Sequence, residues 1–300
     1  MALKRTLTIA SAVALAASLG ACSSSSGGSK NGGSESGAPA KATTAKYGNC
    51  KITSKPDSIK IKPVVPDTLT VETTLPAQGW WNGTTADSIK DGYEYCMAAE
   101  LANMAGLKKL SIKNVSFDQL VAGHTNNFDI ALAEISITPE RAKVVEFSKP
   151  YFDSNIGVLT KKGAGVTADN ITSKRCAAYS GTTSVDFLKT KLKCKSQKIY
   201  PDSQTLYQAV LSGQTDVALL DTAIVLAEAK QTGNKLEVPG QYKTGEKYGA
   251  IYPKGSANAA ELDKGITTLQ ADGVLKYLSK TYLGPAFGGD PSSVPVWSLK

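Results

Sequence analysis

Short apolar segments alternate with amphipathic ones along most of the chain. Residues 68–73 (TLTVET) alternate apolar and polar positions, which predicts a strand with one buried face. Residues 92–107 follow with Met97, Leu101 and Met104 at helical spacing, so this segment predicts a helix with an apolar face. Strands that alternate with helices predict parallel βαβ units, in which ligands bind at the carboxyl ends of the strands.

The same pattern continues to the C-terminus. Further strands are predicted at 128–133, 155–160, 176–179, 216–220 and 248–252. Further helices are predicted at 117–123, within 166–173, from the turn 180–184 to about residue 193, at 206–211 and at 222–232. Two amphipathic helices close the chain. Leu262, Ile266 and Leu269 lie on one face of the first, and Gly284 is predicted to end the second because glycine commonly stops a helix.

The first 22 residues are typical of an export signal. Lys4 and Arg5 form a basic start, and residues 6–19 form an apolar run that is too short to span a membrane. The sequence Leu-Gly-Ala before Cys22 resembles the bacterial lipobox, in which the cysteine is lipidated and becomes the mature N-terminus. The alternative is an ordinary signal peptide with a chance cysteine. Residues 23–47 are rich in serine and glycine, which predicts a flexible linker.

The residues after the linker are enough for one large domain or for two lobes of ordinary size. The formal net charge of the whole chain is +8, and it falls by two when Lys4 and Arg5 leave with the signal. Basic residues are spread along the chain without interleaved aromatic residues. The charge therefore predicts solvated faces and no nucleic-acid-binding surface.

Four cysteines follow Cys22, namely Cys50, Cys96, Cys176 and Cys194. In an exported protein an even number predicts disulfides, with three possible pairings. We favour Cys176 with Cys194, which leaves Cys50 with Cys96. The spacings fit no zinc pattern and the chain has a single histidine, so no metal site is expected.

The segment 135–152 (ISITPERAKVVEFSKPYF) places polar side chains just after a predicted buried strand, with Ser136 first and Arg141 five residues later. A guanidinium presents parallel N–H donors that match the two oxygens of a carboxylate. The segment therefore predicts a site for a small carboxylate. The alternative is a surface arginine that pairs with Glu140 or Glu146.

Two further polar positions follow predicted strands in the second half of the chain. Thr182 and Thr183 lie where a helix begins, and the amides at a helix N-terminus favour an anionic oxygen. The alternative is a plain helix cap. Asp221 follows the apolar run 217–220, so its carboxylate is well placed to receive an ammonium group. The alternative here is that Asp221 caps the next helix.

Five blocks together resemble the type II solute-binding proteins of bacterial ABC importers, specifically the polar amino-acid family. In order, the blocks are DGYEYCMAAELANMAGL, FDIALAEISITPERAKVVEFSKPYF, AAYSGTTSVDFL, LYQAVLSGQTDVALLD and LDKGITTLQADGVLKYLSKTYLG. The resemblance implies an α/β fold with two lobes, each a mostly parallel sheet flanked by helices, joined by two crossover strands. It implies that lobe 1 comprises residues 66–154 with 248–300, and lobe 2 residues 155–247.

The resemblance also implies roles for individual residues. Arg141 matches the arginine that binds the ligand α-carboxylate, and Ser136 matches a position that faces the ligand. Asp221 matches the acid that binds the ligand ammonium. Trp80 or Trp81 supplies an aromatic wall, but the residues leave open which one faces the cleft, and either could instead be core.

Glu134 departs from the family pattern, which has a small residue at the matching position. A buried carboxylate needs a partner because an unpaired buried charge is very costly. One hypothesis is that Glu134 helps to hold a cationic amine, so that the ligand is basic or carries an extra amino group. The alternative is that Glu134 turns aside to pair with Arg141 or a lysine.

The function that follows from the resemblance is ligand capture without catalysis or a cofactor. We expect a monomer, anchored by lipid at Cys22 to the extracytoplasmic face of the cell membrane, that delivers an amino acid or related amine to an ABC permease. Two alternatives stay open. One is a dehydratase-like enzyme on the same fold with Glu134 as a general acid, and the other is a ligand receptor for a sensor partner.

Overall fold

The structure is a computed structural model that describes residues 47–299. The predicted signal, the lipidation site at Cys22 and the predicted linker up to residue 46 lie outside the described residues. No helix in the described part of the chain combines the length and the apolar character needed to cross a membrane.

Two mixed sheets form the framework of residues 47–299. The strands are β1 (Thr68–Thr73), β2 (Lys109–Asn114), β3 (Ile130–Ala131), β4 (Glu146–Phe147), β5 (Phe152–Lys161), β6 (Arg175–Tyr179), β7 (Ser196–Tyr200), β8 (Val217–Asp221), β9 (Leu236–Tyr248) and β10 (Ile251–Tyr252). The first sheet has the order β2-β1-β3-β10-β4, and the second has the order β7-β6-β8-β5-β9. We call the first sheet with its helices lobe 1 and the second with its helices lobe 2.

Each sheet combines a parallel part with an antiparallel part. In lobe 1, β1 runs parallel to β2 and β3, whereas β10 runs antiparallel to β3 and β4. In lobe 2, β6 runs parallel to β7 and β8, whereas β5 runs antiparallel to β8 and β9. The predicted βαβ units are therefore the parallel parts of the sheets. The antiparallel strands are those next to the crossings between lobes.

The helices cover the sheets and join successive strands. They are α1 (Tyr93–Met104), α2 (Phe117–Val121), α3 (Thr183–Asp186), α4 (Ser203–Ser212), α5 (Thr222–Gln231), α6 (Ala259–Ala271), α7 (Val274–Leu278) and α8 (Gly284–Phe287). Helix α1 is buried on nearly every side because it packs against β1 and β2 and against α6 and α7. A π-helical segment, Phe187–Leu192, continues α3, and another, Ser279–Leu283, joins α7 to α8.

Strands β5 and β9 carry the chain between the lobes, which confirms the two predicted crossover strands. They pair antiparallel from Phe152 opposite Tyr248 to Lys161 opposite Leu236. The backbone N–H of Tyr151 also donates to the carbonyl of Tyr248 over 2.9 Å. The lobe boundaries expected from the resemblance, at 154/155 and 247/248, fall within these two strands.

Four strands were not predicted from the sequence, namely β2, β4, β7 and β9, and β4 has only two residues. Strands β2 (KLSIKN) and β7 (SQKIY) lie at sheet edges and consist mostly of exposed or half-buried residues. Strand β7 shows no alternation of apolar and polar residues, whereas β2 does alternate and was overlooked. Strand β9 contains Pro239, Gly240 and Gly245, which in a sequence indicate turns. Proline is tolerated there because β9 is an edge strand of its sheet.

The prediction that Gly284 ends the last helix was wrong. Gly284 has a helical φ of −52°, and α8 runs on from it to Phe287. The left-handed residue that ends the helix is Gly288, at φ 68°. Glycine permits this conformation without a Cβ clash.

The C-terminal residues lie against lobe 2, although the resemblance assigns 248–300 to lobe 1. The backbone N–H of Gln241 in β9 donates to the carbonyl of Pro295 over 2.9 Å, and the N–H of Trp297 donates to the carbonyl of Gln241 over 2.8 Å. The Trp297 ring lies over Gly240, where a Cβ would come within 2.1 Å of it. The chain end therefore crosses from α8 to lobe 2.

Both favoured disulfide pairings are confirmed. Cys50–Cys96 ties the N-terminal segment to α1, and Cys176–Cys194 joins β6 to the segment before β7. The carboxylate of Glu100 on α1 holds the same N-terminal segment, because it accepts hydrogen bonds from the backbone N–H groups of Thr53 and Ser54, each over 2.9 Å.

The two lobes touch each other across the cleft. The rings of Phe117 in lobe 1 and Tyr179 in lobe 2 lie 5.7 Å apart between centroids. Gly181 of lobe 2 packs on the backbone of Asp118 in lobe 1, where a Cβ on Gly181 would lie 2.9 Å from the Asp118 Cα. Gly181 also has a φ of +76°, so both its conformation and its neighbour require a glycine.

Candidate functional site

A cavity lies between the lobes where polar residues follow the strands of both sheets. Every ligand-binding residue predicted from the sequence except Trp81 lines it, namely Trp80, Glu134, Ser136, Arg141, Thr182, Thr183 and Asp221. The cavity volume is about 70 Å³. A polar cavity of this size has room for several water molecules.

Arg141 reaches across the cleft from lobe 1. Its Nη1 donates to the carbonyl of Ser136 over 2.6 Å, and its Nη2 donates to the carbonyl of Gly181 in lobe 2 over 2.8 Å. The guanidinium lies 5.4 Å from the centroid of the Phe117 ring. Arg141 is only 8% exposed, and none of the ion pairs found within residues 47–299 includes it. The alternative of a surface arginine paired with Glu140 or Glu146 is therefore wrong.

Ser136 and Thr183 meet at one carboxylate. The Ser136 hydroxyl donates to Oε2 of Glu246 over 2.6 Å, and the Thr183 hydroxyl donates to the same oxygen over 2.8 Å. Ser136 belongs to lobe 1, Thr183 begins α3 in lobe 2, and Glu246 lies on crossover strand β9. The hydroxyl groups of Ser136 and Thr183, two residues predicted to bind the ligand, are thus bonded to a carboxylate of the protein itself.

Thr182 lines the cavity, but its polar groups are used locally. Its hydroxyl donates to the carbonyl of Tyr179 over 2.7 Å, and its backbone N–H donates to the same carbonyl over 3.3 Å. The expectation that the Thr182 amide is free for an anion therefore does not fit this conformation.

Asp221 ends β8 and faces the cavity from lobe 2. Its Oδ1 accepts a hydrogen bond from the Ser154 hydroxyl over 2.7 Å. The side chain makes no capping hydrogen bond to α5, so the helix-cap alternative is wrong. Burial raises the pKa of Asp221 to about 7, and the Glu246 carboxylate adds to the rise, whereas the Ser154 hydrogen bond and Arg141 oppose it.

The two tryptophans have different surroundings. Trp80 lines the cavity and also packs edge-on against Phe152, with ring centroids 4.9 Å apart, and against Tyr93 at 5.2 Å. Trp81 lies away from the cavity lining, and its Nε1 donates to Oε2 of Glu94 over 2.8 Å. Trp80 is therefore the tryptophan that faces the cleft.

Glu134 lies on the cavity wall with a left-handed backbone, at φ 48°. Its backbone N–H donates to Oε1 of Glu94 over 3.1 Å, and none of the ion pairs within residues 47–299 includes it. Burial raises the pKa of Glu134 well above its ordinary value, and the neighbouring Glu94 and Asp221 raise it further. The alternative that Glu134 pairs with Arg141 or a lysine is wrong, because its close neighbour is a second carboxyl group.

Glu94 lies fully buried at the start of α1, beside the cavity wall. It accepts hydrogen bonds from Trp81 Nε1, from the Tyr151 hydroxyl and from the Glu134 backbone. Burial raises the pKa of Glu94, and these three donors act against that rise because they stabilise the charged carboxylate.

Three buried polar atoms on cavity-lining residues have no hydrogen-bond partner within the described residues. They are Nε1 of Trp80, Oε1 of Glu134 and the hydroxyl oxygen of Tyr207. Leaving such a group unpaired costs about 1–3 kcal/mol. The cavity wall therefore offers donors and acceptors that suit a polar guest.

Sequence reasoning missed Glu94 and Glu246. Glu246 lies two residues before Tyr248, which was placed in a predicted strand, so extending the alternation of that strand would have put both side chains on one face. Glu94 had no comparable signal, because α1 is buried on nearly all sides and shows no polar face.

Two lobes joined by two crossover strands, with a charged cavity between them, are typical of a protein that binds a small ligand between its lobes. A family model of the bacterial extracellular solute-binding proteins, family 3, matches residues 84–285. The chain belongs to this family.

Individual relatives and structures agree with the family. The chain is 30% identical over 203 residues to the L-cystine-binding protein TcyJ of Escherichia coli (strain K12), covering 66% of this chain and 76% of that protein. It is also similar to a structure of an ancestral arginine-binding protein bound to arginine, with a TM-score of 0.64, 25% identity, and coverage of 72% of this chain and 98% of the other. A cyclohexadienyl dehydratase of Pseudomonas aeruginosa is 29% identical over 136 residues, which cover 43% of this chain and 50% of the dehydratase.

Proposed function

We propose that this protein captures an amino acid in the cavity between its lobes and delivers it to an ABC importer. The observation that carries the proposal is the placement of two opposite charges. Arg141 comes from lobe 1 and Asp221 from lobe 2, and both line the same cavity. An α-amino acid is a zwitterion, so its carboxylate suits the arginine and its ammonium suits the aspartate.

The site retains capacity for such a ligand. A guanidinium has five N–H donors, and Arg141 uses two of them on backbone carbonyls. Asp221 accepts one hydrogen bond at Oδ1 from Ser154 and can accept more, since a carboxylate has about four lone-pair sites. The Trp80 ring supplies an apolar wall beside these groups.

Glu134 narrows the ligand class. Glu134, whose Oε1 has no partner within residues 47–299, lines the cavity together with Asp221 and Glu228. Among the described residues that line it, Arg141 is the only lysine or arginine. Glu134 holds its proton in the ligand-free cavity, and a ligand cation beside it would favour the charged carboxylate. The excess of acidic over basic groups therefore favours a ligand that carries a cationic side chain or an extra amino group. We infer that the preferred ligand is a basic amino acid or a related amine.

Ligand binding and closure are coupled in this proposal. A zwitterion satisfies Arg141 and Asp221 together only when the lobes approach, so its binding energy favours the closed state by differential affinity. Removal of water from the closed cavity strengthens both charged contacts. The closed protein then docks on its permease, while a lipid on Cys22 and the linker after it keep the body near the membrane.

A thermal-shift and calorimetric screen tests the proposal. We expect the protein, expressed without its signal and with Cys22 removed, to be stabilised by one or more amino acids, most by basic ones. The matched variants are Arg141→Ala and Asp221→Asn, which should fold and lose the stabilisation. If no amino acid and no polyamine stabilises the wild-type protein, the proposal is wrong.

A dehydratase is the second candidate, and it has one specific observation in its favour. Burial raises the pKa of Glu134 well above its ordinary value. This carboxyl group on the cavity wall therefore keeps a proton that a general acid could donate. Turnover of prephenate-like acids by the purified protein, lost in Glu134→Gln, would favour this function over capture.

A further inference from the structure

Glu246 connects the two lobes at the position where a ligand carboxylate is expected. Its Oε2 accepts hydrogen bonds from Ser136 of lobe 1 and from Thr183 of lobe 2. Each hydroxyl has one hydrogen to donate. Both hydroxyl hydrogens are therefore donated to Glu246. A second carboxylate would find only lone pairs on the hydroxyl oxygens of Ser136 and Thr183.

The backbone fixes Glu246 in this position. Strand β9 continues past lobe 2 and pairs with the segment that carries Ser136, through a bridge between Ser136 and Tyr248 and a 2.9 Å hydrogen bond from the Ile137 N–H to the Lys247 carbonyl. Side chains two residues apart on a strand share a face. Glu246 therefore shares a face with the buried Tyr248, but nearer the rim of the cleft, where it is only half-buried.

The charge of Glu246 is also felt by both groups that are proposed to hold the ligand. Burial lowers the pKa of Arg141, and the carboxylates of Asp221 and Glu246 oppose that effect. Burial raises the pKa of Asp221, and the Glu246 carboxylate raises it further. A ligand carboxylate that entered beside Glu246 would face a like charge, which is unfavourable at short range.

We propose that Glu246 determines specificity by occupying the ligand-carboxylate subsite of the unliganded protein, where it bridges the lobes, and that a ligand carboxylate must displace it. The inference rests on the proposed capture function. Since Glu246 is half-buried, its side chain can leave the hydroxyl pair for solvent. An amine without a carboxylate has no need to displace it.

Glu246 then acts on two measurable properties. It weakens the binding of every ligand that uses its carboxylate on Ser136 and Thr183, whereas it acts on the corresponding decarboxylated amine only through its charge, which raises the pKa of Asp221. It also holds the unliganded lobes together. Loss of the Glu246 side chain should therefore strengthen the binding of amino acids selectively and open the unliganded protein.

The experiment compares wild-type protein with Glu246→Ala and Glu246→Gln. Calorimetry measures the Kd of the twenty amino acids and of two matched amines, agmatine beside L-arginine and cadaverine beside L-lysine. Small-angle X-ray scattering measures the radius of gyration without ligand. The control is Glu237→Ala, which removes a carboxylate from the same strand at a site where it accepts a hydrogen bond from the Gly163 N–H over 3.0 Å, away from the cavity lining.

We expect Glu246→Ala to improve the Kd of each amino acid about tenfold relative to the Kd of its matched amine, and to have a larger radius of gyration than wild type. Glu246→Gln should give a smaller change in the same direction and serves if the alanine variant does not fold. Unchanged or weaker amino-acid binding relative to the matched amine by a folded variant, with wild-type binding intact, overturns this inference alone. Absence of amino-acid binding in wild type and in the variants overturns the proposed function instead. If the radius of gyration of ligand-free Glu246→Ala is then also unchanged, Glu246 does not hold the lobes together.

Discussion

Glu94 and Glu134 form a pair of neighbouring acidic residues at the cavity wall, where the Glu134 backbone N–H donates to Oε1 of Glu94 over 3.1 Å. Glu94 also accepts from Trp81 and Tyr151, so its carboxylate has three donors. Glu134 Oε1 has no partner within residues 47–299. Because hydrogen bonds to a charged form favour it, we assign the negative charge to Glu94 and the proton to Glu134.

The first prediction concerns Glu134→Gln. A neutral amide has nearly the shape of a protonated carboxyl group, so the free energy of unfolding at pH 7 should change little. If the ligand brings a cation to Glu134, the glutamine variant should lose its preference for basic over neutral amino acids, by about tenfold in the ratio of Kd values, since one charge-assisted hydrogen bond is worth about 1.5–3 kcal/mol. Calorimetry with both ligand classes measures the ratio.

The matched control is Glu140→Gln, which changes an exposed carboxylate on the segment before Arg141. It should leave the ratio as in wild type. An unchanged ligand preference in Glu134→Gln would show that Glu134 does not contact the ligand.

The second prediction is a pH dependence that comes from Asp221. Burial raises its pKa to about 7, so in the ligand-free protein Asp221 becomes charged as the pH rises through that value. A ligand ammonium prefers the charged form, so affinity should increase from pH 5 to pH 8, by at most about tenfold per pH unit below the pKa. Calorimetry from pH 5 to pH 8 measures this change in affinity. Asp221→Asn should bind weakly and lose this dependence, and a wild-type affinity that is flat over the range would contradict the role of Asp221.

The Asp221 carboxyl group affects the free energy of unfolding in the opposite direction to the ligand affinity. A raised pKa means that the folded protein holds the Asp221 proton more tightly than the unfolded chain. The contribution of Asp221 to the free energy of unfolding should therefore fall as the pH rises from about 4 to about 7. Comparing wild type with Asp221→Asn separates this contribution from those of Glu94 and Glu134.

The sequence predicted those parts of the site that follow strongly apolar strands. Asp221 could be located because four buried apolar residues precede it in β8, and Arg141 because its segment follows the predicted strand at 128–133. Only residues 130–131 of that stretch form a strand, yet the polar residues after it still reach the cavity. A predicted buried strand thus locates the polar residues that follow it, even when the predicted strand is longer than the observed one.

The rest could not be predicted because it depends on contacts between distant segments. Glu246 reaches Ser136 across 110 residues of chain, and Glu94 reaches Glu134 across 40. Edge strand β7 (SQKIY) has one buried residue and lacks the alternation that identifies a strand, whereas edge strand β2 (KLSIKN) has the alternation and could have been predicted. Glu94 and Glu246 contribute to the site through the residues to which they bind, and no local sequence pattern indicates those residues.

The third prediction separates the tryptophans. Trp80 lines the cavity, so Trp80→Phe should remove most of the change in tryptophan fluorescence on ligand binding. Trp81→Phe should keep that signal but lower the free energy of unfolding by about 1–3 kcal/mol, because Glu94 loses a donor in a buried site. Trp297→Phe, in lobe 2, is the control for loss of a tryptophan. A signal that survives Trp80→Phe and disappears in Trp81→Phe would reverse the assignment.

The last prediction tests whether binding requires closure of the lobes. Gly181 has a φ of +76°, and a Cβ there would lie 2.9 Å from both Cα and Cβ of Asp118 across the cleft. Gly213 has nearly the same φ, +77°, but a Cβ there would meet nothing within 4 Å. Alanine at either position should cost about 1–2 kcal/mol of backbone strain. Only alanine at 181 should also keep the lobes apart.

Gly181→Ala should therefore lower ligand affinity at least tenfold and keep the radius of gyration large when ligand is added. Gly213→Ala should bind like wild type, although both variants lose similar stability in a denaturant titration. Calorimetry and small-angle X-ray scattering on the same samples measure the two effects. Since Arg141 donates to the Gly181 carbonyl, the alanine variant also shifts the one direct hydrogen bond that this arginine makes to lobe 2. Equal affinity for ligand in the two variants would mean that capture does not depend on the contact between Gly181 and Asp118.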